Sequence, residues 1–179
     1  MASLVVPLTR VHASFLVAMA EFSAEGRGSA DDETVLGWEL REYGGSWTTS
    51  DGFATFVDML KRQSLEATPR TVGHVPATAM WWVDADEYLG RIVVRHRLTP
   101  RLLEFGGHIG YDVRPTARRL GHATAMLRDV LPVARELGIV SALVTCDATN
   151  IASRAVIERA GGVFEDQRGP KLRFWVPTS

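Results

Sequence analysis

Apolar residues Ala123, Met126, Leu127, Val130, Leu131, Ala134 and Leu137 recur three and four positions apart, the pattern of a helix running from Ala117 onward with one buried face. Gly138 ends it. Just upstream, His108 to Val113 alternates and is rich in Ile, Tyr and Val, which predicts a strand that Pro115 stops. Downstream, Ile139 to Cys146 predicts a second strand, and a helix begins at Ile151, with Asn150 suited to its N-cap, and ends at Gly161-Gly162. Val163 to Asp166 and Lys171 to Val176 then flank the turn Gln167 to Pro170 as a closing hairpin.

The first third follows the same logic. Leu4 to Pro7 is a short strand, and a helix from about Thr9 buries Val11, Phe15, Val17, Ala18 and Phe22. Gly26 to Asp32 is a polar break, Glu33 to Tyr43 a second helix, and Gly44-Gly45-Ser46 interrupts it. A third helix opens at Ser50-Asp51-Gly52 and points Phe53, Phe56, Val57 and Leu60 inward. After the loop Thr68 to Pro76, the strands Ala77 to Val83 and Leu89 to Arg97 pair through the acidic turn Asp84 to Glu87, and Leu98 to Phe105 connects to the strand at His108. Strands and helices in this order predict one α/β or α+β domain, a mixed sheet with helices on both faces.

Composition narrows the function. Of 179 residues 46% are hydrophobic and the net charge is −1, which argues against a disordered chain or a nucleic-acid partner. The single cysteine, Cys146, rules out an internal disulfide, and no Cys/His zinc spacing exists, so no metal is expected and a reducing cytoplasm is the expected compartment. Leu4 to Phe22 is broken by Pro7, Arg10, His12 and Glu21, so no membrane span is expected.

Between the strand at His108 and the long helix lies Arg118-Arg119-Leu120-Gly121-His122-Ala123. A helix start carries unpartnered N–H groups and partial positive charge; Gly121 permits close approach, Ala123 stays small, and Arg114, Arg118 and Arg119 add cationic charge. The turn therefore suits a phosphate or pyrophosphate, though spacing alone fits a solvated arginine-rich helix start equally well.

Arg118-x-x-Gly121-x-Ala123 after Val113-Arg114-Pro115 resembles the Gln/Arg-x-x-Gly-x-Gly/Ala signature of the GNAT superfamily of N-acetyltransferases, and Asn150-x-x-Ser153 resembles the helix motif that follows it. The resemblance covers roughly residues 92–163. It implies a mostly antiparallel sheet with one splayed parallel strand pair, acetyl-CoA as co-substrate, and a division into an acceptor wall (1–76), a core with the acetyl-CoA site (77–163) and closing strands (164–179) that offer a place for a homodimer contact. Pantetheine would lie along the backbone of Tyr111, Asp112 and Val113. The pyrophosphate would lie on the turn from Arg118 through Arg119, Leu120, Gly121, His122 and Ala123 to Thr124, with Asn150 and Ser153 approaching the cofactor.

The resemblance also implies acetyl transfer to the amine of a small molecule, a peptide or protein terminus or a lysine being an alternative, and acyl-CoA binding without turnover a third. Many members carry a tyrosine acid seven residues after the motif asparagine, where this chain has Ile157. For the base, Glu104, His108 and Asp147 border the central strands, and Glu104 is the first choice because a carboxylate just before the strand can draw a proton through a water. Cys146 has no activating partner in the sequence and suits a buried strand position. Trp38, Tyr43, Trp47 and Phe53 are candidates for the acceptor wall, with core packing the commoner role for such aromatics.

Overall fold

The computed structural model describes all residues, 1–179. One seven-stranded sheet organises it, from β1 (Ser3–Val5), β2 (Ala77–Asp84), β3 (Glu87–Arg95), β4 (Ile109–Val113), β5 (Ser141–Asp147), β6 (Val163–Arg168) and β7 (Lys171–Pro177), in the order β1-β2-β3-β4-β5-β7-β6. Every neighbouring pair is antiparallel except β4 with β5.

The period of two in β2 shows how the sheet divides the molecule. Trp81 and Trp82 point to opposite faces, each into its own core. On the Trp81 side, α1 (His12–Ala24), α2 (Val35–Tyr43) and α3 (Ser50–Arg62) cover β2 and β3 with Phe15, Phe22, Leu36 and Phe56. On the Trp82 side, α4 (His122–Glu136) and α5 (Ile151–Arg159) pack Met126, Leu127, Val130, Val156 and Ile157 against Ile92, Ile109 and Val144. Helices on both faces of a mixed sheet were the expectation.

The boundaries shift for local reasons. The second helix starts at Val35 because Thr34 Oγ1 accepts the N–H of Gly37, and the third is capped by Thr49, which accepts from Gly52. The long helix begins at His122, not near Ala117, which sits in a 3-10 turn, Pro115–Ala117, yet is still buried. The connection before β4 is a π-helical turn, Leu102–Gly106. No helix is long and apolar enough to cross a membrane.

Candidate functional site

β4 and β5 touch at one register pair, Ile109 with Val144. Just before it the His108 N–H donates to Leu143 O at 2.7 Å, and the Leu143 N–H donates to His108 Nδ1 at 2.9 Å. Gly107, at φ 63°, makes this approach possible, since a Cβ there would lie 2.4 Å from Leu143 O. Beyond Ile109, β4 stays with β3 and β5 with β7, so the sheet opens between them. The Arg114 N–H turns to Leu89 O on β3. By strand alternation Asp112 faces the same way, and the amides of Tyr111 and Val113 face the opening. Val113 O is taken by Arg118 Nε at 3.1 Å.

The opening ends at the turn into α4. Arg119 (φ 65°) and Gly121 (φ 86°) are both left-handed, and no side chain caps the helix. The N–H groups of Arg119, Leu120, Gly121, His122, Ala123 and Thr124 meet no acceptor in the protein. Such a concave run of amides at a helix start fits a pyrophosphate. His122 is positioned by Trp82, whose Nε1 donates to its Nδ1 at 3.0 Å.

The arginines contribute less charge than the sequence suggests. Arg114 is buried against Glu21, and Arg118 pairs with Glu25 at 2.7 and 2.8 Å. These pairs tie the turn to α1 and leave Arg119 as the guanidinium there without a partner, so of the three arginines expected to add charge at the turn two are neutralised.

On α5, Asn150 Oδ1 accepts the Ser153 N–H at 3.0 Å, so Asn150 is the N-cap. Ser153 Oγ lies 2.7 Å from the Tyr111 hydroxyl. Burial pushes that phenol up to about 12, with the Ser153 hydrogen bond opposing. Ile157 is fully buried in the core. Cys146 is buried too, its thiol pushed up first by burial and then by Asp147.

The three candidate bases are not brought together. Glu104, on the π-helical turn, pairs with Arg168, and Asp147 pairs with Lys171 at 2.7 Å. His108 is held in the hinge between β4 and β5, where burial, and then Arg95, push its pKa below the ordinary imidazole value.

The sheet face opposite α4 also carries Arg27, Glu39 and Arg91, which the sequence did not single out. Arg27 donates to Asp112 Oδ1 at 3.2 Å and to Asp32 at 3.1 Å, clamping the Gly26–Asp32 segment onto β4. Burial raises the Asp32 carboxyl, but hydrogen bonds from Thr34 and Gly28 and the charge of Arg27 outweigh it and hold it at about 2. Arg91 pairs with Glu39 in the interior. Trp47 and Phe53 belong to the core around Phe15, so packing is their role; Trp38 is half exposed and stacks edge-on with Tyr43. Trp47 also borders a cavity of about 290 Å³ between α1 and α2, with Leu16, Met19, Arg27 and Leu40.

The family model described as acetyltransferase (GNAT) domain matches residues 29–163. No curated protein sequence matches the chain. Among solved structures, Mycobacterium smegmatis RimJ in complex with CoA-disulfide has a TM-score of 0.66 at 14% identity, covering 98% of this chain and 81% of that one. The PaiA N-acetyltransferase of Thermoplasma acidophilum in complex with coenzyme A scores 0.61 at 9% identity over 99% of both chains. YncA of Salmonella typhimurium, a putative acetyltransferase with acetyl-CoA, scores 0.61 at 10% identity over 99% and 94%. At these identities the likeness is one of fold.

Proposed function

Because this chain belongs to the GNAT acetyltransferase family, we propose that it transfers the acetyl group of acetyl-CoA to a primary amine of a small molecule, both substrates being bound together. The observation that supports this most is the opened β4–β5 pair leading to six consecutive N–H groups without partners, from Arg119 to Thr124. Acetyl-CoA supplies an acyl carbon activated as a thioester, so that transfer forms a C–N bond, breaks the C–S bond and leaves coenzyme A as its thiol.

The chain's own groups then have distinct tasks. The turn amides and the Arg119 side chain hold the diphosphate, and the backbone of Tyr111 and Val113 aligns the pantetheine amides and polarises the carbonyl. Glu104 takes the proton of the ammonium through a water, and Arg168 fixes its carboxylate at the rim. Tyr111 Oη, oriented by Ser153, holds the proton for the departing sulfur, the task that Ile157 cannot perform. Asn150 keeps the first turn of α5 in place.

The test is incubation with acetyl-CoA and a library of amines, peptides with free N-termini included, following thiol release and product mass. An amine gaining the mass of one acetyl group, at a rate dependent on the protein, is the expected result. Tight coenzyme A binding with no acetylated amine would replace the transferase by a binding module.

A further inference from the structure

The face of β4 turned away from α4 holds one guanidinium that the protein leaves half used. Arg95 ends β3 on the same face as Val93, which is paired with Gly110. Its Nη1 donates to the carbonyls of Gly106 and Gly107, both at 3.2 Å. Nε and Nη2 meet no acceptor, and neither is sealed from solvent. No carboxylate lies within salt-bridge distance. The other arginines turned toward this face differ: Arg27 has Asp32 and Asp112, Arg91 has Glu39, Arg168 has Glu104 and Asp166, and Arg173 has Glu165 and Asp166. Burial, and then Arg91, disfavour the charge on Arg95, so an unpaired guanidinium here costs stability that a bound anion would return.

The place is as telling as the charge. A Cβ on Gly110 would lie 3.8 and 3.9 Å from Nη1 and Nη2, so the bare glycine backbone forms a floor beside the guanidinium. Gly110 immediately precedes the Tyr111 and Val113 amides that border the opening, roughly 3 to 10 Å along the strand. The free Nε–Nη2 edge presents two parallel N–H donors, the geometry that a carboxylate accepts in bidentate fashion.

We infer that Arg95 binds a carboxylate of the acceptor, so that the amine acetylated is amino-acid-like, with its carboxylate a few bonds from the nitrogen. The inference rests on the transferase reading above and narrows its substrate class. Charge on this face supports it: the acidic groups Asp112, Glu39 and Glu104 are each already engaged by an arginine, which leaves the anion and not the cation of the acceptor to be matched by an unpaired side chain.

The test compares matched amines with the wild-type protein: L-phenylalanine, L-phenylalaninamide and phenethylamine, and the corresponding leucine and methionine series. The carboxylate member of at least one series is expected to exceed its amide and its decarboxylated amine in kcat/KM by about 10- to 100-fold, the span of a charge-assisted hydrogen-bonded contact. In Arg95→Met the carboxylate member should lose that advantage through KM, and the decarboxylated amine should stay within about threefold of its wild-type rate. A folding defect would lower both together. Equal rates for all three members, or a preference that survives in Arg95→Met, would overturn the inference and leave the transferase standing. Calorimetry with N-acetylated amino acids and the protein saturated with coenzyme A separates the reverse case: if no amine is turned over, binding of the carboxylate product that vanishes in Arg95→Met still supports the site, and absence of such binding sinks it.

Discussion

The hydroxyl of Tyr111 lies 2.7 Å from Oγ of Ser153, and this contact joins β4 to the first turn of α5 across the opening between β4 and β5. Tyr111 and Ser153 stand in different segments, and the proposed transfer uses this hydroxyl as the proton donor because Ile157 is a fully buried hydrocarbon. Because burial holds the phenol at about 12, it keeps its proton throughout the neutral range.

Tyr111→Phe keeps the ring and removes that donor. The expected outcome is a fall in kcat of about 10- to 100-fold with KM for acetyl-CoA nearly unchanged. The sign in pH follows from the raised pKa: rising pH removes the donor only as it approaches about 12, so the wild-type rate should show no loss from this group below about pH 10. Steady-state kinetics across pH checks both, and an unaltered kcat in the variant would assign the proton to another source.

Gly121→Val tests whether amides or arginines hold the diphosphate. Space is open at Gly121, so the cost is conformational: a β-branched residue at φ 86° is strained by about 1–2 kcal/mol and turns the amides away. KM for acetyl-CoA should rise at least about tenfold. Arg118→Ala, whose guanidinium already serves Glu25 and Val113 O, should change that KM by less than about threefold. The reverse ordering of the two effects would make charge, not backbone geometry, the main grip.

Periodicity made α4, its preceding strand and β7 legible in the sequence, because each has one face committed to a core, whereas the mostly exposed β6 was legible through the turn that joins it to β7. The turn was legible as an amide site for the same reason, as Gly121 falls just before a strongly patterned helix. Charge was not, since neutralising partners come from distant segments: Glu21 for Arg114, Glu25 for Arg118, Arg168 for Glu104 and Lys171 for Asp147. The Gly26–Asp32 stretch looked like a polar break, and only the fold shows Arg27 reaching Asp112 on the central strand. Arg95 ends a plainly alternating strand, where an arginine is unremarkable until its neighbours are known to lack a carboxylate. Trp47 and Phe53 became core once Phe15 and Trp81 were seen to pack on them.

Asp32→Asn should weaken the clamp between the Gly26–Asp32 segment and β4 in a pH-dependent way. The wild-type carboxyl titrates at about 2 in the folded chain against an ordinary 3.8, a lowered value, so its contribution is complete above about pH 4 and lost as pH falls through about 2. With its side chain 8% exposed, the contribution is about 1–2 kcal/mol after allowance for solvent. Denaturant unfolding at pH 7 should show the variant less stable by about that amount, and the gap should close toward pH 2. A gap of constant size would attribute the loss to changed hydrogen-bond geometry and not to the charge.

Glu39 and Arg91 form the most enclosed ion pair, with side chains 4% and 7% exposed, joining α2 to β3 beneath the proposed acceptor face. Two nearly parallel bonds hold it: Nη1 to Oε2, and Nη2 to Oε1 at 3.1 Å. Burial opposes the charge on Arg91 and Glu39 outweighs it, so the guanidinium is held more firmly protonated than usual. Glu39→Ala strands that cation in the interior, and breaking a buried pair from one side costs about 3–5 kcal/mol. The expected drop in Tm is about 10 °C for a chain of this length. Glu39→Leu combined with Arg91→Met removes both charges while filling the space, and should recover most of that loss. If the double variant is as unstable as the single one, the pair contributes through its geometry against α2 rather than through mutual neutralisation. Calorimetric unfolding of the three proteins at neutral pH decides between the two.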